Sequence, residues 1–158
     1  MKCSCFSQAD VKDVNSILLD TGSNVSIFNN RNLIKNIRTS NYTQRVYTNG
    51  GHQDSTQVGY LPGFFDVWYN PHSRLNILSF AEVARKFRVT MDTAEENTIN
   101  VHLSKTKVLK FNEATNGLYV LIVNPLKTKN SVANYFSYFT TVAENKSNFS
   151  KREIEGAD

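Results

Sequence analysis

The stretch Ser16 to Phe28 reads SILLDTGSNVSIF, and it puts a carboxylate in an unusual place. Asp20 ends the apolar run Ile17-Leu18-Leu19 and is followed at once by Thr21, Gly22 and Ser23. Gly22 predicts a sharp turn with positive φ, which lets a loop leave the strand without a side-chain clash. Thr21 and Ser23 add hydroxyls able to bond a neighbouring carboxylate or the loop backbone. One carboxylate held this way is only a weak acid. Two of them a few ångströms apart cannot both ionise, so they share a proton and titrate as a pair. Such a pair can activate a water as general base and protonate a leaving amine as general acid. The chain carries a single Asp-Thr-Gly. Its two faint echoes, Asp54-Ser55-Thr56 and Asp92-Thr93-Ala94, both lack the glycine. The second carboxylate is therefore expected from a second copy of the chain, with Asp20 facing its mate across a two-fold axis.

A carboxylate of this kind needs a rigid scaffold, and the pattern around it is mainly one of short strands with turn signals between them. Strands are predicted over 14–19, 25–28, 44–48, 56–61, 64–69, 87–91, 98–103, 108–111 and 118–123. Asn49-Gly50-Gly51 is a hairpin signal and Asn116-Gly117 a turn. One helix is expected inside this region. Ser79 can cap it, Glu82 follows three residues on, and Phe80, Val83, Ala84 and Phe87 form an apolar stripe that reads as core packing. Trp68 and the tyrosines near it are also expected in the core rather than as base-stacking platforms. The segment 1–13 reads as loose. Beyond Pro125 the composition becomes that of a polar linker, followed by Tyr135, Phe136, Tyr138, Phe139 and Val142 in amphipathic spacing and a capping-box pattern at Ser150–Glu153.

With 158 residues and 40% hydrophobic content, the chain suffices for one domain with its own core. No apolar run is long enough for a membrane helix, and the start Met1–Phe6 lacks the apolar centre of a signal peptide, so an intracellular, cytoplasmic protein is expected. The Asn-x-Ser/Thr sites at Asn24, Asn41, Asn145 and Asn148 then reflect composition alone. Cys3 and Cys5 suit neither a disulfide staple nor a four-ligand zinc site. His52, His72 and His102 form no His-His-Cys-Cys pattern, and His52 with Asp54 reads as a solvated hairpin tip, so no metal and no cofactor is expected. The net charge of +4 is spread along the chain, without the basic stripe and aromatic platforms of a nucleic-acid surface.

Several segments, taken in order, are similar to one family. "LLDTGS" resembles the active-site loop of aspartic proteases. The glycine hairpin "VYTNGGHQDSTQVGYLPGF", about thirty residues after Asp20, falls where retropepsin-like enzymes carry their flap. "VWYNPHSRLNILSFAEVARKF", with Asn76-Ile77-Leu78-Ser79 leading into a helix, resembles the signature of copia-type LTR retrotransposon Pol polyproteins. "VTMDT…NGLYVL" resembles the closing strands of that region, and the tail from Tyr138 resembles the segment joining protease to integrase.

The resemblance covers the chain from about Ser16 to its end. It implies a mainly β fold, a retropepsin-like closed β-barrel over 14–123 with one short helix after Asn76–Ser79. Residues 124–158 would be a linker, a partly helical tail and the truncated start of the protease–integrase connection. It implies that Asp20 is catalytic and that the Thr21 hydroxyl braces the two active-site loops of a homodimer. Gly22 would offer its N–H to the carboxylate, and Ser23 its hydroxyl to the outer carboxylate oxygen. Asn49, Gly50 and Gly51 would form the flap tip. Substrate would be the Gag-Pol polypeptide, cut without a cofactor, in a virus-like particle if the element is active. Membrane and nucleic-acid partners are not implied for this region. Ser79 stands where other retropepsins often have glycine, and the terminal strands of the retroviral dimer interface have no recognisable counterpart. Two further readings stay open: a non-enzymatic remnant or domesticated β-barrel that serves as an interaction module, and a nucleic-acid-binding accessory barrel.

Overall fold

The computed structural model describes residues 14–123. The expectations for 1–13, with Cys3 and Cys5, and for the linker and tail of 124–158 fall outside these residues. The described part is mainly β: a ten-stranded mixed sheet and one short helix. The strands are β1 (Ser16–Asp20), β2 (Ile27–Phe28), β3 (Lys35–Thr48), β4 (Gly51–Tyr60), β5 (Asp66–Tyr69), β6 (Asn76–Ser79), β7 (Arg88–Asp92), β8 (Glu96–His102), β9 (Val108–Glu113) and β10 (Tyr119–Ile122). The helix α1 spans Phe80–Lys86. Hydrogen-bonded neighbours run in the order β3-β4-β5-β2-β6-β1-β10-β9-β8-β7, and no pairing joins β3 to β7 among the described residues.

The arrangement at the centre decides where Asp20 goes. β1 and β2 are consecutive in the chain but not adjacent in the sheet, because β6 lies between them, parallel to β1 and antiparallel to β2. On its other side β1 pairs antiparallel with β10. Ile17, Leu18 and Leu19 are all buried, as expected of a central strand covered on both faces. Residues 21–26 must therefore cross the end of β6 to reach β2. That crossing is the Asp20 loop.

The helix forms where its cap and apolar spacing predict it. The Ser79 side chain accepts from the Glu82 N–H at 3.3 Å, Glu82 sits in the first turn, and Arg85 and Lys86 lie in the last, where cations suit the carbonyl end. Val83 is fully buried, and Phe80 and Phe87 pack against the core, with Phe87 edge-on to Phe64 at 5.3 Å between ring centres. The core joins both halves of the sheet through Phe28, Leu61, Phe64, Val67 and Leu78 on one side and Val101 and Phe111 on the other. Tyr69 packs on it. Trp68 departs from expectation: it is only half-buried and lies edge-on to Tyr42 at 5.5 Å. Tyr42 reaches it because β3 is irregular between Thr39 and Gln44, where residues 40–43 bulge out of the ladder.

β3 and β4 form a long hairpin, extending well beyond the predicted 44–48 and 56–61. Its tip is Asn49-Gly50, with Thr48 opposite Gly51. The positive φ falls on Gly51, at 126°, and not on Asn49 or Gly50, so the left-handed residue follows the two-residue turn. The Thr48 hydroxyl accepts from the Gly50 N–H at 3.3 Å and closes the turn.

Candidate active site

Asp20 is the last residue of β1 and lies opposite Ser79 in the parallel register with β6. It is partly exposed; Thr21 and Gly22 after it are exposed. Oδ1 accepts a 2.8 Å hydrogen bond from the Gly22 N–H, and Oδ2 makes none among the described residues. One oxygen is thus oriented by the loop while the other stays open. Gly22 is not among the glycines of positive φ, contrary to expectation. Its lack of a side chain matters for another reason. A Cβ there would lie 3.3 Å from Asp20 Oδ1, crowding the atom that the Gly22 N–H orients.

Ser23 also departs from the implied role. Its hydroxyl donates to the Val25 carbonyl at 2.7 Å, within the loop, and not to Asp20. The Ser23 carbonyl accepts the Ser79 hydroxyl at 2.7 Å. Further along, Ser26 is buried and fully partnered. Its N–H and its hydroxyl both donate to Glu82 Oε2, at 2.9 and 2.6 Å, its hydroxyl accepts the Ser79 N–H at 2.9 Å, and its carbonyl accepts the Trp68 N–H at 3.0 Å. The capping box predicted from Ser79 and Glu82 is therefore only half closed. Ser79 caps Glu82, but the Glu82 carboxylate reaches Ser26, whose hydroxyl takes its place on the Ser79 N–H.

Asn76 was visible only as part of a family signature, and its role needs the fold. It is 3% exposed, and all four of its side-chain hydrogen-bonding positions are used. Oδ1 accepts from the Asn29 and Asn30 N–H groups, each at 3.0 Å, while Nδ2 donates to the Val14 and Ser16 carbonyls at 3.1 and 3.0 Å. It ties the start of β6 to the start of β1 and to the turn that leaves β2.

The hairpin tip faces the same central strands. A groove of about 440 Å³ is lined by Val46, Thr48, Asn49, Gly50, His52 and Gln53 from the hairpin, by Ile27 and Ile77 from β2 and β6, and by Ser73, Arg74 and Leu75 from the loop before β6. Its floor is apolar, and extended backbone lies along its hairpin side. Asp20 does not line it. The middle of the hairpin is tied to the rest of the sheet by Asn70, whose Nδ2 donates to the buried Ser55 hydroxyl at 3.3 Å.

Farther out, Arg45 and Asp54 pair across the two strands through two 2.8 Å contacts. The hydrogen bond from Arg45 holds the Asp54 carboxyl below its ordinary value of 3.8. A carboxyl that titrates lower in the folded state stabilises it above the unfolded value, and that contribution is lost as pH falls through the lower folded value. The hairpin should therefore remain ion-paired in mildly acidic solution. Carbon-detected NMR titration of Asp54 is expected to give a midpoint below 3.8, and Arg45→Gln should bring it back toward that value. His52 lies tilted against Tyr47, with 6.2 Å between ring centres, and is exposed, in keeping with a solvated tip.

Asp54 and Asp92, the carboxylates of the two echo triplets, are engaged elsewhere, Asp54 with Arg45 and Asp92 in the turn after β7, where it accepts the Ala94 N–H at 3.0 Å. No cluster of three or more His, Cys, Asp or Glu suited to a metal is found among the described residues. No helix among them is long and apolar enough to cross a membrane. No protein-family model and no curated protein matches this chain.

Proposed function

We propose that this chain is an aspartic endopeptidase of the retropepsin-like kind, from the Pol polyprotein of a copia-type retrotransposon, and that it acts as a homodimer on the Gag-Pol polypeptide. The observation that carries the reading is the placement of Asp20. It ends a strand buried on both faces, its Oδ1 is oriented by the Gly22 N–H, its Oδ2 is unengaged among the described residues, and Thr21 and Gly22 are exposed beside it. An exposed Thr21 next to an open carboxylate is what a second copy would need in order to meet the loop face to face.

In the dimer the two Asp20 carboxylates share one proton. The ionised member takes a proton from the water between them as it attacks the scissile carbonyl. The protonated member stabilises the developing oxyanion, and a proton then passes to the leaving amine. The peptide lies extended beneath the β3–β4 hairpin, pairing its backbone with the hairpin and placing side chains in the groove over Ile27 and Ile77. In this reading the ten-stranded sheet curls into the retropepsin barrel, and no cofactor enters the chemistry.

The test is peptide cleavage over a range of protein concentrations. Activity per chain should rise with concentration until dimers saturate. A folded protein with no cleavage at any concentration would instead support a β-domain that binds without cutting, a reading favoured by the fact that Asp20 does not line the groove.

A further inference from the structure

The Asp20 loop is fastened from beneath at three points, all of them on the segment Ser79–Glu82. Asp20 pairs with Ser79 through the parallel β1–β6 ladder. The Ser23 carbonyl receives the Ser79 hydroxyl. Ser26 receives the Ser79 N–H and gives both its own N–H and its hydroxyl to Glu82 Oε2. Ser26 and Glu82 are 56 residues apart, so this contact forms only in the folded domain. Ser79 is 0% and Ser26 1% exposed, so water cannot substitute for a lost partner at either hydroxyl without rearrangement. Both Ser26 donors converge on a single Glu82 oxygen, Oε2, at 2.9 and 2.6 Å.

We infer that Glu82 is a positioning residue for Asp20. Its carboxylate locks Ser26, Ser26 locks Ser79, and Ser79 holds the middle of the loop by the Ser23 carbonyl, so that the outward part, Thr21 and Gly22, presents the carboxylate at one fixed angle. Glu82 does not touch substrate; it acts through the loop. This rests on the reading of Asp20 as the catalytic acid. The physical ground for a large effect is that general acid–base chemistry depends steeply on the placement of the reacting groups. A displacement of about 1 Å can cost on the order of 100-fold in rate.

The experiment compares the wild type with Glu82→Ala, Glu82→Gln and Ser26→Ala, reading kcat and KM for a peptide substrate and amide hydrogen exchange for residues 21–26. Glu82→Ala is expected to lower kcat by about 10- to 100-fold while KM stays within about 3-fold. The amides of the loop should exchange faster, and those of β8 and β9 should not change. Glu82→Gln keeps an oxygen acceptor for both Ser26 donors and should recover most of the loss. Ser26→Ala, which retains the backbone bond to Glu82 and loses only the hydroxyl contacts, should reproduce the kcat defect in part, and it decides the matter if Glu82→Ala does not fold. Unchanged kcat and unchanged loop exchange in a folded Glu82→Ala or Ser26→Ala protein would overturn the inference, as would a Gln variant as impaired as the Ala variant. If the wild type shows no Asp20-dependent cleavage, the protease reading fails by itself. The exchange data then still decide the brace: faster exchange of residues 21–26 supports it, and unchanged exchange overturns it.

Discussion

Replacing Asp20 by Asn is expected to abolish peptide cleavage, by at least about 1000-fold in kcat, while leaving the fold intact. The side-chain amide oxygen of Asn can still accept the Gly22 N–H that now bonds Oδ1, so the loop keeps its shape. What is lost is the ability to take a proton from water and to share one with a second carboxylate. Asp20 is partly exposed at the end of β1, so the neutral replacement leaves no buried unpaired group and thermal unfolding should barely move. The same variant tests the dimer. Mixed in equal amounts with wild-type chains and allowed to exchange, it should leave roughly a quarter of the dimers with two Asp20 residues, and activity should fall to about a quarter of that of the same total concentration of wild-type chains. Activity that merely halves would show that each chain acts alone, and retained activity in the pure variant would exclude Asp20 from the chemistry. Both arms are read by one steady-state assay, with calorimetry as the control for folding.

Asn76→Ala should give the largest loss of stability among single polar substitutions in the described domain, about 3–5 kcal/mol in denaturant-induced unfolding. The side chain satisfies two backbone donors, at Asn29 and Asn30, and two backbone acceptors, at Val14 and Ser16. Each group stranded without a partner costs about 1–3 kcal/mol, less where water can enter. The Val14 carbonyl keeps its 2.7 Å bond from Asn30 Nδ2, whereas Ser16 and Asn76 are buried, so the total falls short of four full penalties. Asn76→Asp should be at least as harmful near neutral pH, because a carboxylate has no donor for the two carbonyls and would face them with a negative charge. Equilibrium unfolding monitored by the single tryptophan, Trp68, checks both, and a loss below about 1 kcal/mol for Asn76→Ala would show that water replaces the amide without difficulty.

The effect reaches the site through topology. Asn76 begins the four-residue strand that ends at Ser79, and that strand separates β1 from β2. Loosening its first residue loosens the track over which the Asp20 loop crosses. A partial variant, Asn76→Gln, should therefore lose activity before it loses secondary structure, a sequence of events that parallel circular dichroism and cleavage assays would resolve.

How much of this was legible in advance depends on the range of each interaction. The helix was readable because its signals are local: a Ser79 cap, Glu82 three residues later and an apolar stripe at helical spacing all lie within one short segment. The buried strand before Asp20 was readable for the same reason. The hairpin was announced by Asn49-Gly50-Gly51, but its true length was not. Residues 35–43 are mostly polar, so they carry no apolar alternation to read; backbone pairing of Lys35, Arg38 and Thr39 with β4 holds the first part, and 40–43 bulge out of the ladder. Trp68 reads as a core residue in the sequence, whereas the bulge at 40–43, which no local pattern announces, supplies Tyr42 as its edge-on neighbour.

Neighbouring residues alone specify a mainly β domain, a carboxylate loop at the end of a buried strand, a capped helix and a glycine-tipped hairpin, because period, cap and turn chemistry are local properties. Contacts between distant segments set the rest: β6 parts β1 from β2, Gly22 serves the Asp20 carboxylate without a positive φ, Ser23 turns its hydroxyl inward, Asn76 bonds four backbone groups and Glu82 bonds Ser26. These are pairings of buried polar groups brought together from distant parts of the chain. Their energetic weight comes from exclusion of water at the point of contact, and no local pattern of residue types records which partner will be there when the chain closes.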